Sequence, residues 1–226
     1  STQAVRFIFA GITLYCTIES YSRINATSVA LISRLEIPII VIAGSFLGYT
    51  YSVRKMALAF FCVILLFTTA LYFRANGELI SGYIHALTGT VSLVIGYLFV
   101  RATAKTEAPN LVALTPALAS MVFAALAYCI RRPSVVLSSK LIILNLFSGA
   151  LMYLLYRFSV YRYKFLPLGK AEYPSLVIAL ALLPLEWALF NKIPSAAYAA
   201  SICVSSVLLG LTLFTGENSY EKRLST

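Results

Sequence analysis

Residues 56–73 read MALAFFCVILLFTTALYF, an uninterrupted run from Met56 to Phe73 without a single charge. A bilayer core of about 30 Å is crossed by about 20 apolar residues in an α-helix. The run is continuous instead of alternating in ten-residue units, which favours a spanning helix over a barrel strand. Outward from it, segments of the same kind lie at 4–22, 28–49, 79–100, 111–130, 139–160, 173–191 and 195–215. The connections are short: Arg54-Lys55, Arg74 to Glu78, Arg101 to Asn110 and Arg131-Arg132-Pro133-Ser134. Only Gly216 to Thr226 reads as a free tail. The pattern predicts an all-α integral membrane protein, a polytopic helix bundle with about eight transmembrane helices in this stretch.

Composition agrees. Of the 226 residues, 60% are hydrophobic and 12% charged, and mean hydropathy is +0.87. A soluble domain carries about 45–50% apolar and about 25% charged residues, so one globular core cannot hide this surplus. The residue types exclude much chemistry. All eight acidic residues are Glu, there is no Asp, and His85 is the single histidine. That removes an Asp-bearing serine triad, a multi-histidine zinc site, an EF-hand and a kinase catalytic loop. Neither GxGxxG nor GxxxxGKS/T occurs. No cofactor or metal is expected, and no enzyme activity.

The net charge of +10 does not point to nucleic acid. Lys and Arg are scattered in ones and twos between apolar runs, as membrane loops require, and are not gathered on one face. Cys16, Cys62, Cys129 and Cys203 stand singly inside apolar segments and are expected to be small buried hydrophobes, not metal ligands or disulfides. Eleven basic residues fall on the side that holds Arg6, Arg54 and the tail, against six on the side of Arg23 and Arg74. By the positive-inside rule both ends are expected in the cytoplasm, with the chain in a plasma or bacterial inner membrane.

An internal repeat says most about architecture. Asn25-Ala26-Thr27-Ser28-Val29-Ala30-Leu31-Ile32 leads to Pro38, and Lys170-Ala171-Glu172-Tyr173-Pro174-Ser175-Leu176-Val177 leads to Pro184 in the same way. Farther on, Ala70-Leu71-Tyr72-Phe73 corresponds to Leu211-Thr212-Leu213-Phe214. Spans one to three therefore match spans six to eight. The odd offset of five means that the copies cross in opposite directions. Inverted-topology repeats are a common plan among secondary transporters, with the substrate near the midplane between the copies. On this logic a further pair of helices, roughly 60 residues, is expected ahead of residue 1.

These stretches resemble the drug/metabolite transporter superfamily, specifically its EamA-like ten-helix members. The likeness is carried by Ala26 to Pro38, by Ala171 to Pro184, and by Gly82 to Arg101, which resembles the opening helix of the family's second repeat. It runs over nearly the whole chain and implies helices three to ten. Residues 1–78 would then be the last three helices of one repeat, 79–215 the five-helix second repeat, and 216–226 a cytoplasmic tail. Where the family usually carries a Gly-Glu pair after the proline helix, this chain has Gly48-Tyr49 and Asn191-Lys192.

Ionisable residues inside a span are costly and by default mark function. Arg34 and Glu36 stand inside the second span, just before Pro38. At i, i+2 they point to different faces of a helix and are not expected to pair with each other. Glu36 is a candidate for a substrate cation or a coupling proton; the alternative has Arg34 snorkelling to the interface and Glu36 paired structurally. Glu186, two residues after Pro184, is its near mirror. His85 either relays protons or donates one hydrogen bond across a helix interface. Tyr153 and Asn145 are further candidate contacts for a substrate, although the cytoplasmic aromatic belt with its snorkelling arginines is the commoner explanation for Tyr153, Tyr156 and Arg157. Pro38, Pro116, Pro174 and Pro184 free backbone carbonyls, and Pro38 and Pro184 are expected at hinges or cavity walls.

The expected function is a secondary transporter that moves a small metabolite across the bilayer by alternating access: an amino acid, a nucleoside or an amphipathic cation, with proton coupling open. The alternative is a non-transporting scaffold or accessory subunit of similar fold, as a homodimer or with a partner subunit. A lipid-acting transferase has little support, because no general acid–base pair can be assembled.

Overall fold

The computed structural model describes residues 2–46, 51–72, 77–103, 107–131, 139–166 and 196–214. These residues are helical, without strands: α1 Thr2–Tyr21, α2 Ala26–Ser33, α3 Glu36–Phe46, α4 Val53–Tyr72, α5 Ile80–Thr103, α6 Pro109–Arg131, α7 Ser139–Phe165 and α8 Ala196–Phe214. Side chains mark several starts. Asn25 is the N-cap of α2, its side-chain oxygen accepting from the Ser28 amide at 2.7 Å. Ser52 Oγ likewise accepts from the Lys55 amide at the head of α4. Pro109 opens α6, where its missing N–H costs nothing.

Packing runs across the bundle in one order. α7 lies on α6, α6 on α1, and α1 on α5; α5 then meets α2 and α3, which meet α4, and α4 packs on α8. The α1–α5 pairing is the most extensive. Among the described residues three stretches, Ser28–Phe46, Val53–Tyr72 and Ile80–Arg101, are long and apolar enough to cross a membrane.

The distribution of side chains suits lipid better than water. In α4 the buried stripe Ala59, Cys62, Leu66 and Ala70 follows the helical period, yet the opposite face carries exposed Phe60, Phe61, Ile64 and Leu71. The inside meanwhile holds Arg6, Glu19, Arg34, Glu36 and Lys55. Water would favour the reverse arrangement; hydrocarbon leaves apolar faces uncovered at no cost and drives charges inward.

The segment expected as one helix over 28–49 is instead two, parted at Arg34 and Leu35. Pro38 explains the site of the break. It has no N–H for the Arg34 carbonyl four residues back, and its ring crowds that carbonyl. The chain tightens in response. Ile37 donates to the Arg34 carbonyl at 3.2 Å and Leu35 to that of Ile32 at 2.9 Å, both three-residue bonds. Regular bonding returns when Ile39 donates to Leu35 at 2.9 Å. Pro38→Ala is expected to stabilise this turn by about 1 kcal/mol, part of the ~3 kcal/mol an interior proline costs. Amide exchange over residues 34–39 should then slow about fivefold. Unchanged exchange would place the cause of the break elsewhere.

Candidate cavity between α1, α5, α6 and α7

Gly82, Gly89 and Gly96 recur every seven residues along one face of α5. At Gly82 an added Cβ would fall 2.7 Å from Ile24 Cγ2 and 2.8 Å from Arg23 Cβ. At Gly89 it would lie 3.2 Å from Cys16 Cβ, on α1. At Gly96 nothing stands within 4 Å. Contact that is tight at the first two glycines gives way at the third to open space, and there a cavity lies. It holds about 50 Å³ and is bounded by Arg6 and Thr13 of α1, Ser92 and Tyr97 of α5, Pro116 of α6, and Tyr156 and Ser159 of α7. Its walls are almost wholly apolar.

Arg6 is the cation of this cavity and is only 2% exposed. The reason it can sit there lies in α6. Pro116 cannot donate to the Val112 carbonyl four residues before it, which leaves that oxygen without its helical partner. Arg6 Nη2 donates to it instead. Nη1 donates to Gln3 Oε1 at 3.0 Å and lies 3.4 Å from Glu107 Oε2. Gln3 is held in turn by Glu107 and by the Thr115 hydroxyl. Nε, also buried, has no hydrogen-bond partner.

The residues singled out from sequence fall elsewhere, for the most part. Arg34 caps the end of α2 and is 5% exposed, so it does not snorkel; its Nη1 is buried without a hydrogen-bond partner. Glu36 opens α3 and is buried too. Because the helix is interrupted between them, the rule for one continuous helix does not apply, and Glu36 acts electrostatically on Arg34. His85 is half-buried on α5; its Nδ1 donates to the Ser81 carbonyl one turn back, and its ring meets Tyr15 edge-on at 6.4 Å. Tyr153 packs with Tyr156 against Val112, Ala113 and Val160, next to the cavity. Pro38 is buried in α3. Asn145 lies on α7, with its side chain outside the described set, and Glu186 and Pro184 lie outside the described residues.

In the sequence Arg6 is one more basic residue of the expected cytoplasmic side, and Ser92 and Ser159 carry no pattern of their own. Two signals were available. One is the seven-residue glycine spacing, which marks where α5 meets a neighbour closely. The other is Pro116, whose freed carbonyl calls for a donor.

No family model matches the chain, and no curated protein matches it. Among solved structures, one described as a crystal structure of a protein is 16% identical, with a TM-score of 0.57 over 100% of this chain and 88% of that one. At that identity the likeness is one of fold.

Proposed function

We propose that the protein is an integral membrane secondary transporter that moves a small metabolite by alternating access between two inverted halves, with both ends in the cytoplasm. The observation that carries this reading is the cavity between α1, α5, α6 and α7, closed beside Gly82 and Gly89 and open beside Gly96. A cavity of that kind between packed helices is where a transporter holds its solute. The repeat around Pro38 and Pro184, and the resemblance to EamA-like transporters, supply the inverted halves. The tightened turn before Pro38 supplies a hinge, and buried Glu36 beside it the group for a coupling proton or a substrate cation. Glu186 is assigned the mirror role, and His85 an accessory one.

Counterflow in proteoliposomes tests this. The panel holds labelled amino acids, nucleosides, organic cations and short carboxylates, each with and without a pH gradient. Saturable exchange of one class is the expected result. Glu36→Gln should lower the gradient-driven rate by about tenfold or more while counterflow without a gradient persists. An unchanged rate from a folded variant removes Glu36 from the mechanism. Silence across the panel from well-folded protein would favour the scaffold reading.

A further inference from the structure

We propose that a latch closes the cavity on the Arg6 side, Arg6 and Glu107 fastening α1 to the first turns of α6, and that Pro116 is the hinge on which those turns swing to open it. The inference rests on the reading of the cavity as the solute site and names the gate on one side of it. Three features of the same few residues carry it.

The first is the fastening. Arg6 Nη2 donates to the Val112 carbonyl, and Nη1 donates to Gln3 Oε1 at 3.0 Å and to Glu107 Oε2 at 3.4 Å. Gln3 in turn donates to Glu107 and accepts from the Thr115 hydroxyl at 2.7 Å. Apart from the Arg6–Gln3 bond, these contacts join the first turns of α1 to residues 107–115. Arg6 and Val112 both border the cavity, so the bond between them crosses from one wall to another. On its α5 side this part of α1 is held less closely, because the tight contacts at Gly82 and Gly89 end before Gly96.

The second is the hinge. Pro116 borders the same cavity and leaves the Val112 carbonyl without its helical partner. The turns of α6 ahead of it are joined to the rest by one bond fewer, and helices bend at such points. The oxygen that the hinge frees is the oxygen that the latch holds. Opening therefore costs α6 no helical bond.

The third is the balance between the two states. Arg6 is 2% exposed, and its Nε is enclosed by the protein without a hydrogen-bond partner. An unpaired buried donor disfavours the closed form, and water admitted on opening satisfies it. Glu107, at 24% exposed, already meets water at the edge of the latch. A fully paired cation would hold the bundle shut; this one draws the closed and open forms nearer in energy.

Gly96→Cys reports the opening, because the cavity lies beside Gly96 and an added Cβ meets nothing within 4 Å. The full chain in detergent, with Cys16, Cys62, Cys129 and Cys203 replaced by Ala, is labelled at that thiol with an anionic and with a cationic thiosulfonate. Neither charged reagent enters through hydrocarbon. Glu107→Gln is expected to speed both reactions by about tenfold. Both must rise, since a change of local charge alone would speed the anionic reagent and slow the cationic one. Pro116→Ala returns an N–H to the Val112 carbonyl and should slow labelling by about threefold or more, in the Glu107→Gln protein as well. Glu19→Gln loosens the Arg23 pair at the other end of α1 and should leave both rates unchanged. Thermal melts establish that each variant is folded. Opposite shifts of the two reagents, no slowing in Pro116→Ala, or an equal rise in Glu19→Gln would each overturn the latch. Counterflow on the same preparations separates the two claims. Faster labelling of Glu107→Gln without exchange of any solute supports the latch and overturns transport. Exchange with labelling unmoved by Glu107→Gln overturns the latch and leaves transport standing.

Discussion

Glu78→Ala is expected to lower the stability of the folded protein by about 3–5 kcal/mol, from two hydrogen bonds to a charged acceptor at about 1.5–3 kcal/mol each. Glu78 stands just ahead of α5 and is 7% exposed. Its Oε1 accepts from the Asn25 amide at 2.7 Å, and its Oε2 accepts from the Tyr83 hydroxyl. Asn25 is the N-cap of α2, and Tyr83, on α5, is 1% exposed. One carboxylate thus ties the start of α2 to the first turns of α5. Truncation takes the acceptor from the Asn25 amide and leaves the Tyr83 hydroxyl with the longer contact to Ser28 Oγ at 3.4 Å, and adds a void where the carboxylate was. Tyr83→Phe removes only one of the two bonds and should cost less than half as much. Glu78→Gln keeps one acceptor and turns an NH₂ group toward a donor, so it should fall between them. Thermal melting in detergent reads all three, and a drop of roughly 6 °C or more is expected for Glu78→Ala. A drop no larger than that of Tyr83→Phe would mean that the Asn25 bond contributes nothing.

This junction was not legible in the sequence, and the reason is physical. Glu78 lies between apolar runs, where a charge is expected in any case, and its partner Asn25 is far away along the chain. Local pattern did carry the helices themselves. The expected segment 4–22 is α1 at Thr2–Tyr21, 56–73 is α4 at Val53–Tyr72, and 79–100 is α5 at Ile80–Thr103. Helix length in these stretches follows from continuous apolar character, which is a local property. The segment 173–191 lies outside the described residues.

Pro38 marks a middle case. A proline inside an apolar run announces a disturbed helix, but the disturbance falls on the carbonyl four residues earlier, so the break appears at Arg34 and Leu35. The cavity lay farther from view. Depth in a span selects ionisable residues such as Glu36 and His85, and it says nothing of where two helices part. That depends on which face each presents to the other. Arg6 needs the Val112 carbonyl, and that oxygen is free only because of Pro116. No window of sequence contains all three residues.

The glycine face of α5 yields the second large effect, and one that changes sign along a single helix. Gly82→Ala is expected to destabilise by about 1–3 kcal/mol, the usual cost of forcing an extra carbon into a packed site. The methyl group would meet Arg23 Cβ at 2.8 Å and Ile24 Cγ2 at 2.7 Å. Arg23 Cβ is bonded to its own backbone and cannot swing aside. Its guanidinium is also tied down, by Glu19 at 3.0 Å and Ser81 at 2.8 Å. Relief therefore requires the α1–α2 connection to move. Against that stands the gain in helix propensity from Gly to Ala, about 0.8–1.0 kcal/mol. At Gly96 the same gain meets no opposition, since nothing lies within 4 Å, and Gly96→Ala should stabilise by up to about 1 kcal/mol. Gly89→Ala, at 3.2 Å from Cys16 Cβ, should fall near zero, with propensity and crowding opposed. Melting temperatures of the three variants are then expected in the order Gly82, Gly89, Gly96, from lowest to highest, with wild type close to the Gly89 variant. A uniform shift would mean that α1 and α5 are not held at the graded separation on which the cavity depends. The predicted order would tie that opening to the seven-residue spacing along α5.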